Sequence, residues 1–509
     1  MSVRIVYRDI AVGADEDAAV TSADAKEFSD LGLLSFEGGP PAISTLEPNS
    51  WILDGSREIL DGQPVRFWSQ AMSGPDGVFE TPPELSIDFD LRYTSPGIFL
   101  HFDSATGEYC TSVTIQWRRG PSLLVEETFY PDGVDYFCDR VVEAYDHVLI
   151  RFNSTSLPYR YAKLPYIIFG ISRTFLRDEL RNVNITAEAS ITSAEIAVNT
   201  LDFTLDSEQN IDYLFQFKQP VSAYDGDSLI GVFYIDDSTH RARGLYDVSC
   251  IDAIGVLDED PFPAAVYNGK PAKELLLEII GGHFELDLDP TLATVGITGY
   301  IPPGSRRQAL QQVAFAIGAI VDTSGTEMIR IYKDKENTPA RFPKTRVYTG
   351  GTVETSAIVT AVRVTSHSYS TTGSGTDTVD VDGVTYYHTT GEVTIYNPKA
   401  TASDKANVVE VKDATLVNPE NVNFIAQHLY DYYTKRARQR AKIVMNEERP
   451  GDRIAVPTPW GTYVNGFVTR MDITLSGIAA ADCEVIGTEI KMTGDPEVRY
   501  SGVWFTGEV

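Results

Sequence analysis

The chain has 509 residues, too many for one hydrophobic core, and length alone predicts about three to five domains. Hydrophobic residues at 43% and charged residues at 22% are those of a globular chain, yet 42 basic against 72 acidic residues leave a formal charge of −30. That balance argues against a general binder of nucleic acid or anionic membrane, since both need basic side chains to neutralise phosphates.

No run of about 18 apolar residues is present, so no membrane span is predicted. Met1-Ser2-Val3-Arg4-Ile5-Val6-Tyr7 alternates like a strand and lacks the apolar core of a signal peptide. Cys110, Cys138, Cys250 and Cys483 are scattered, which predicts buried free thiols and neither a disulfide framework nor a zinc site.

Residues 1–44 read as an extended arm: one strand, an Ala/Asp/Glu-rich stretch, then the breaker Gly39-Pro40-Pro41. Residues 45–170 carry only β signals. Strand candidates are 84–91, 98–102, 112–117, 123–130 and 147–153, divided by turns such as Ser73-Gly74-Pro75-Asp76-Gly77 and Pro131-Asp132-Gly133, a spacing that predicts a jelly-roll sandwich.

Residues 171–256 alternate apolar and polar, with Ile185, Ala187 and Ala189 on one face, then Leu201, Phe203 and Leu205. Turns at Asp225-Gly226-Asp227-Ser228 and at 236–239, with alternation continued through 191–198 and 248–255, predict a small antiparallel barrel. Leu257-Asp258-Glu259-Asp260-Pro261-Phe262-Pro263 joins like charges to two prolines and predicts a domain junction.

Residues 257–344 change to a period of about 3.6. One helix takes Leu275, Leu276, Ile279 and Ile280 on its buried face and stops at Gly281-Gly282. A second is capped by Ser305, with Leu310, Val313, Ala314 and Ile317 as its stripe and Arg306-Arg307 in an exposed cap. Strands at 283–288 and 328–332 complete a small α/β unit.

Residues 345–444 return to β, with a strand at 357–365, a Ser/Thr/Gly-rich loop at 366–378 and a hairpin turning at Asp382-Gly383. Asn418-Pro419-Glu420 opens the longest predicted helix, ending near Arg440 and gathering Lys435, Arg436, Arg438 and Arg440 where they suit the negative end of its dipole. Residues 445–509 hold three or four strands entered by Pro450-Gly451-Asp452, a second small barrel with C-terminal strands. The expected fold is thus mainly β and multidomain (α+β): a jelly-roll sandwich, two tube-like antiparallel barrels and an intervening α/β unit.

Two resemblances follow from particular residues. Val113-Thr114-Ile115-Gln116-Trp117, Phe129-Tyr130-Pro131-Asp132, Val148-Leu149-Ile150-Arg151-Phe152 and the run from Leu157 to Lys163-Leu164 resemble a discoidin-type, galactose-binding-like jelly roll, over roughly a quarter of the chain. The second resemblance is carried by the order of parts. Tyr246-Asp247-Val248-Ser249-Cys250-Ile251-Asp252-Ala253-Ile254, the helix start Lys270-Pro271-Ala272 and the run from Pro302 to Ala314 come first. The long helix before Met445 follows, then Gly451-Asp452-Arg453-Ile454, Gly466-Phe467-Val468, Leu475-Ser476-Gly477 and Glu484-Val485-Ile486-Gly487. Together they resemble the baseplate hub, or tail-associated, proteins of bacteriophage tails and related injection machines.

The hub resemblance implies a homotrimer in which each chain supplies two tube-like barrels, so that three chains present six. It implies a virion location and partners on both sides: a tail tube or distal tail protein, a tip, spike or fibre protein, and the tape-measure protein passing through. An acidic protein suits a channel, where carboxylates would repel DNA phosphates. The jelly roll implies contact with a host-surface glycan or with neighbouring tail subunits.

Catalytic patterns are missing: there is no Gly-x-Ser-x-Gly elbow, His-Glu-x-x-His helix, Cys-His nucleophile motif or phosphate-binding glycine loop. No cofactor, catalytic or metal residues are assigned, and no enzyme activity is expected. His101, His147 and His428 fit packed or surface positions. Glu285, Asp287 and Asp289 share one strand face, as do Asp88 and Asp90; either set could hold Ca²⁺ or form a glycosidase pair, and a wet strand face accounts for both. A glycan-binding adhesin is therefore the first alternative and a cell-wall hydrolase the second.

Overall fold

A computed structural model describes residues 3–26, 29–35, 66–104, 106–207, 214–282, 284–334, 340–373, 377–475, 479–491, 499–500 and 503–504. The breaker Gly39-Pro40-Pro41, His283, and the Ser476-Gly477 turn lie outside these residues. The chain divides into two compact units, one of residues 6–174 and 211–219, the other of residues 1–5, 175–210 and 220–509. Both are predominantly β, as the alternation predicts.

The first unit is built on a six-stranded sheet. Its order is Ala19–Thr21, Glu84–His101, Asp135–Thr155, Cys110–Arg119 and Ser122–Phe129, with Tyr166–Ile168 also on Glu84–His101. The predicted strands 84–91 and 98–102 are one 18-residue strand, bent where its register shifts between Asp88 and Gly97. A bulge admits extra residues without ending the ladder, so two sequence segments merge. A two-stranded layer, Phe67–Met72 with Tyr161–Leu164, covers the apolar face. There Phe67 stacks on Phe152 at 5.1 Å, and Trp117, Ile87 and Ile150 are fully buried.

The second unit carries a long sheet. In order its strands are Pro220–Asp225, Ser228–Ala242, Leu245–Ile251, Thr200–Asp206, Leu180–Glu188, Tyr463–Leu475, Ala479–Ile490, Ala437–Val444 and Thr352–Thr355. The two stretches expected to form tube-like barrels therefore meet edge to edge, because Leu180–Glu188 pairs antiparallel with Tyr463–Leu475. The turn expected at 236–239 is instead strand, since Ser228–Ala242 runs through it with a register shift between Ile235 and Asp237. Residues 191–198, expected to alternate as a strand, make turns and irregular backbone.

Strand Leu245–Ile251 ends at Asp252, whose carboxylate caps helix Ala253–Glu259 by accepting from the Gly255 N–H at 3.1 Å. The acidic, proline-rich stretch is therefore structured: the helix occupies its first half, and Pro261–Phe262 pairs with Gly304–Ser305. Each proline marks the edge of an element, as its missing N–H requires.

Helices Ala272–Ile280 and Arg306–Ile317 form as the 3.6 period predicts, the first stopped by Gly281 at φ 69° and the second opened by a full capping box between Ser305 and Gln308. Arg306 and Arg307 are not an exposed cap. Arg306 donates to the carbonyls of Glu278 (2.9 Å) and Ile279 (2.6 Å), satisfying the otherwise orphaned end of the neighbouring helix. Arg307 donates to the Ile196 carbonyl and, at 2.8 Å, to Asp258. Arg306→Ala is expected to lower stability by about 1–2 kcal/mol, read as a shift in the urea midpoint at unchanged slope.

Beyond them, Asp377–Val381, Val384–Tyr396, Ala361–Ser370 and Val408–Val411 form a separate sheet whose hairpin turns at Asp382-Gly383, both at positive φ. Its first long strand starts later than residue 357. Helix Val422–Tyr433 packs on this sheet through Val422, Ile425, Ala426 and Leu429. The helix does not reach Arg440. Residues 437–444 instead form a strand with Ala437, Gln439, Ala441 and Ile443 buried on one face. Ala437 satisfies either period, and only the partner strand Ala479–Ile490 decides between them.

Candidate functional site

The joined sheet has one buried face and one wet face. Ile185, Ala187, Leu201, Phe203, Val248, Met471, Ile473, Cys483 and Val485 point inward. The wet face follows from the same period-2 rule and brings together residues from distant parts of the chain. Glu188 lies opposite Arg470, Arg470 opposite Glu484, and Glu484 opposite Arg440. Four adjacent strands thus carry an acid–base–acid–base row.

The row is closed by contacts. Arg470 donates through Nη1 to Glu188 Oε1 at 2.6 Å, and through Nη2 and Nε to the Asp472 carboxylate at 2.8 and 2.9 Å. Arg440 Nε donates to Glu484 Oε2 at 3.0 Å, and Arg438 Nε lies 3.6 Å from Glu484 Oε1. Partial burial works to raise the Asp472 carboxyl, but hydrogen bonds from Arg470 and Thr186 outweigh it and hold the group below its ordinary value. The hydrogen bonds that Arg470 donates to Asp472 in turn raise the Arg470 guanidinium above its ordinary value.

The pattern continues across the other half of the sheet. Asp202 accepts from Ser249, Asp247 accepts from Thr204 at 2.8 Å and pairs with Arg241, and Asp206 pairs with Arg181. Two troughs open on this face. One of about 650 Å³ runs past Gly350, Arg440, Lys442, Arg470 and Glu484; one of about 360 Å³ lies beside Asn184, Asp202, Asp237 and Asp247.

The residues weighed in the sequence for chemistry do not converge. Glu285 and Asp287 are exposed on strand Leu286–Leu288 and its flank, and Asp289 Oδ1 accepts from Thr291 N–H and hydroxyl at 2.9 and 2.8 Å. Asp88 meets His147 Nδ1 at 2.7 Å, and Asp90 is exposed. His101 lies 2.5 Å from Asp135 and stacks on Tyr166, and His428 contacts the Ile191 carbonyl at 3.4 Å. All four cysteines are buried and free, and burial pushes their thiols up. Among the described residues, no three His, Cys, Asp or Glu side chains are grouped to hold a metal ion.

Lys163, the basic residue that carried part of the jelly-roll resemblance, is buried 3.2 Å from both Asp103 and Glu108, with Trp68 beneath its ammonium group. The wet-face row itself was missed in the sequence. Arg438 and Arg440 stood out there, but as a helix end. The alternation of Arg438, Arg440 and Lys442 was the available signal, and the partners Glu484 and Glu188 could not be read without strand pairing.

No family model matches the chain, and no curated protein matches it. Among solved structures it is similar to the tail protein from Neisseria meningitidis MC58, at 13% identity and a TM-score of 0.45, over 62% of this chain and 93% of that one. It is also similar to prophage tail protein gp18 from Listeria monocytogenes EGD-e, at 10% identity and a TM-score of 0.41, over 61% and 91%. The family 32 CBM from C. perfringens NanJ, solved in complex with galactose, is similar over 32% of this chain and 97% of its own, at 9% identity and a TM-score of 0.21. Among the described residues no helix is long and apolar enough to cross a membrane.

Proposed function

We propose that this chain is a structural protein of a bacteriophage tail, a baseplate or tail-tip hub. In this reading three copies join a six-fold tail tube to a three-fold tip, and the wet face of the joined sheet lines part of the genome-ejection channel. The observation that carries it is the pairing of Leu180–Glu188 with Tyr463–Leu475. It fuses two β stretches from distant parts of the chain into one surface, so three copies would set six such stretches around an axis. The partners are a tail tube or distal tail protein above, a tip, spike or fibre protein below, and the tape-measure protein within. The role has no catalytic step.

Light scattering and negative-stain imaging of the full chain test this. A threefold mass and a ring with a central hole are the expected results; a monomer at high micromolar concentration would overturn the reading. A glycan-binding role for the first unit is the weaker alternative, since its buried Lys163 is already held by two carboxylates. Binding of the chain on a glycan array, without trimerisation, would favour it.

A further inference from the structure

We propose that the Glu188–Arg470–Glu484–Arg440 row is a self-neutralising mask, and that it keeps a groove sterically open to a polyanion from holding one. The inference rests on the channel reading, but its test does not. The side chains of Arg470, Arg438 and Arg440 remain 45%, 40% and 61% exposed, and Arg440 and Arg470 line the larger trough. Among the described residues, that exposure leaves their guanidinium groups open to a phosphate backbone. Each instead has a carboxylate at hydrogen-bonding or ion-pair distance: Glu188 and Asp472 for Arg470, and Glu484 for both Arg438 and Arg440.

The spacing explains why such a row is silent at a distance. Adjacent strands lie about 4.8 Å apart, so the sign alternates on a scale shorter than the Debye length of about 8 Å. A phosphate approaching the face meets opposite charges before it can resolve either, and it would have to displace a carboxylate to gain an arginine. The negative net charge of the chain supplies long-range repulsion. The row removes the short-range contacts that would otherwise tether a passing polymer. Glu484 is the central element because it serves two arginines and is itself only 15% exposed.

The test is binding of a short fluorescent DNA duplex to the full chain, by anisotropy at low salt. Wild type is expected not to bind. The Glu188→Gln/Glu484→Gln variant keeps side-chain shape and unmasks Arg438 and Arg440, while Asp472 still holds Arg470. It is expected to bind with a log–log salt slope of about −2, as two phosphate contacts require. Adding Arg438→Gln and Arg440→Gln should abolish that binding. Glu285→Gln/Asp287→Asn makes the same change in net charge without releasing an arginine, and should not bind. Equal binding by that control, or none by a Glu188→Gln/Glu484→Gln protein with an intact melting transition, would overturn the proposal. If that variant fails to fold, Glu188→Gln/Asp472→Asn leaves Glu484 in place, removes both carboxylates that hold Arg470, and carries the same expectation with a slope of about −1.

Discussion

Replacing Gly466 with alanine is expected to destabilise the second unit by about 3 kcal/mol, one of the two largest single-residue effects predicted for this chain. Gly466 and Gly487 face each other directly on Tyr463–Leu475 and Ala479–Ile490. A Cβ on Gly466 would stand 2.1 Å from the Ile486 carbonyl oxygen and 2.5 Å from the Gly487 Cα, and one on Gly487 would stand 2.1 Å from the Asn465 carbonyl oxygen. The obstacle is backbone, which cannot rotate away as a side chain would. Tyr463–Leu475 also pairs with Leu180–Glu188 and Arg453–Pro457, so a shift there is felt on both sides of the joined sheet. The check is the denaturant midpoint of Gly466→Ala against wild type. A loss under about 0.5 kcal/mol would mean that the two backbones do not approach so closely.

Asp252→Ala is expected to cost about 2–3 kcal/mol, by adding the loss of a helix cap to the orphaning of buried polar groups. One carboxylate oxygen accepts from Gly255 N–H at 3.1 Å, and the other accepts from the Thr323 hydroxyl at 2.7 Å. Asn199 donates to the same hydroxyl at 3.0 Å, so alanine would break a connected buried group. Asp252→Asn preserves the shape: its oxygen can still cap the helix and its amide can donate to Thr323. It is expected to lie within about 1 kcal/mol of wild type.

The pH dependence separates these variants. Burial raises the Asp252 carboxyl from 3.8 to about 6, against the opposing hydrogen bonds from Thr323 and the backbone. Between those values the folded state holds a proton that the unfolded state has released, so stability from this group falls as pH rises through the window and then levels off. Thermal or urea unfolding at several pH values should show that decline in wild type, and the asparagine variant should lack this contribution.

Much of the second unit was legible because its signals are local. Ser305 followed by Gln308 specifies a capping box whatever surrounds it, and Gly281 stops a helix by taking a backbone conformation that costs glycine little. Asp382-Gly383 sets a two-residue turn for the same reason. The errors arose where two periods fit one stretch. Ala437 extends the helical stripe of Leu429 and Tyr433 and equally begins the alternation Ala437, Gln439, Ala441, Ile443. At 236–239 the polar residues that imitate a turn belong to a bulged strand, and a bulge carries no composition that separates it from a turn.

By itself the sequence determined the β-rich, multidomain character of the chain, the caps of two helices, the turn at Asp382-Gly383 and the acidic balance. These depend on side-chain period, backbone propensity and charge, all properties of neighbours along the chain. Only the tertiary structure decided that Leu180–Glu188 lies against Tyr463–Leu475, and therefore that Glu188, Arg470, Glu484 and Arg440 form one row. Strand pairing joins residues nearly 300 positions apart, as the 282-residue separation of Arg470 and Glu188 illustrates. Period-2 alternation says which side of a strand is wet, and the register of the partner strand says which charges meet there.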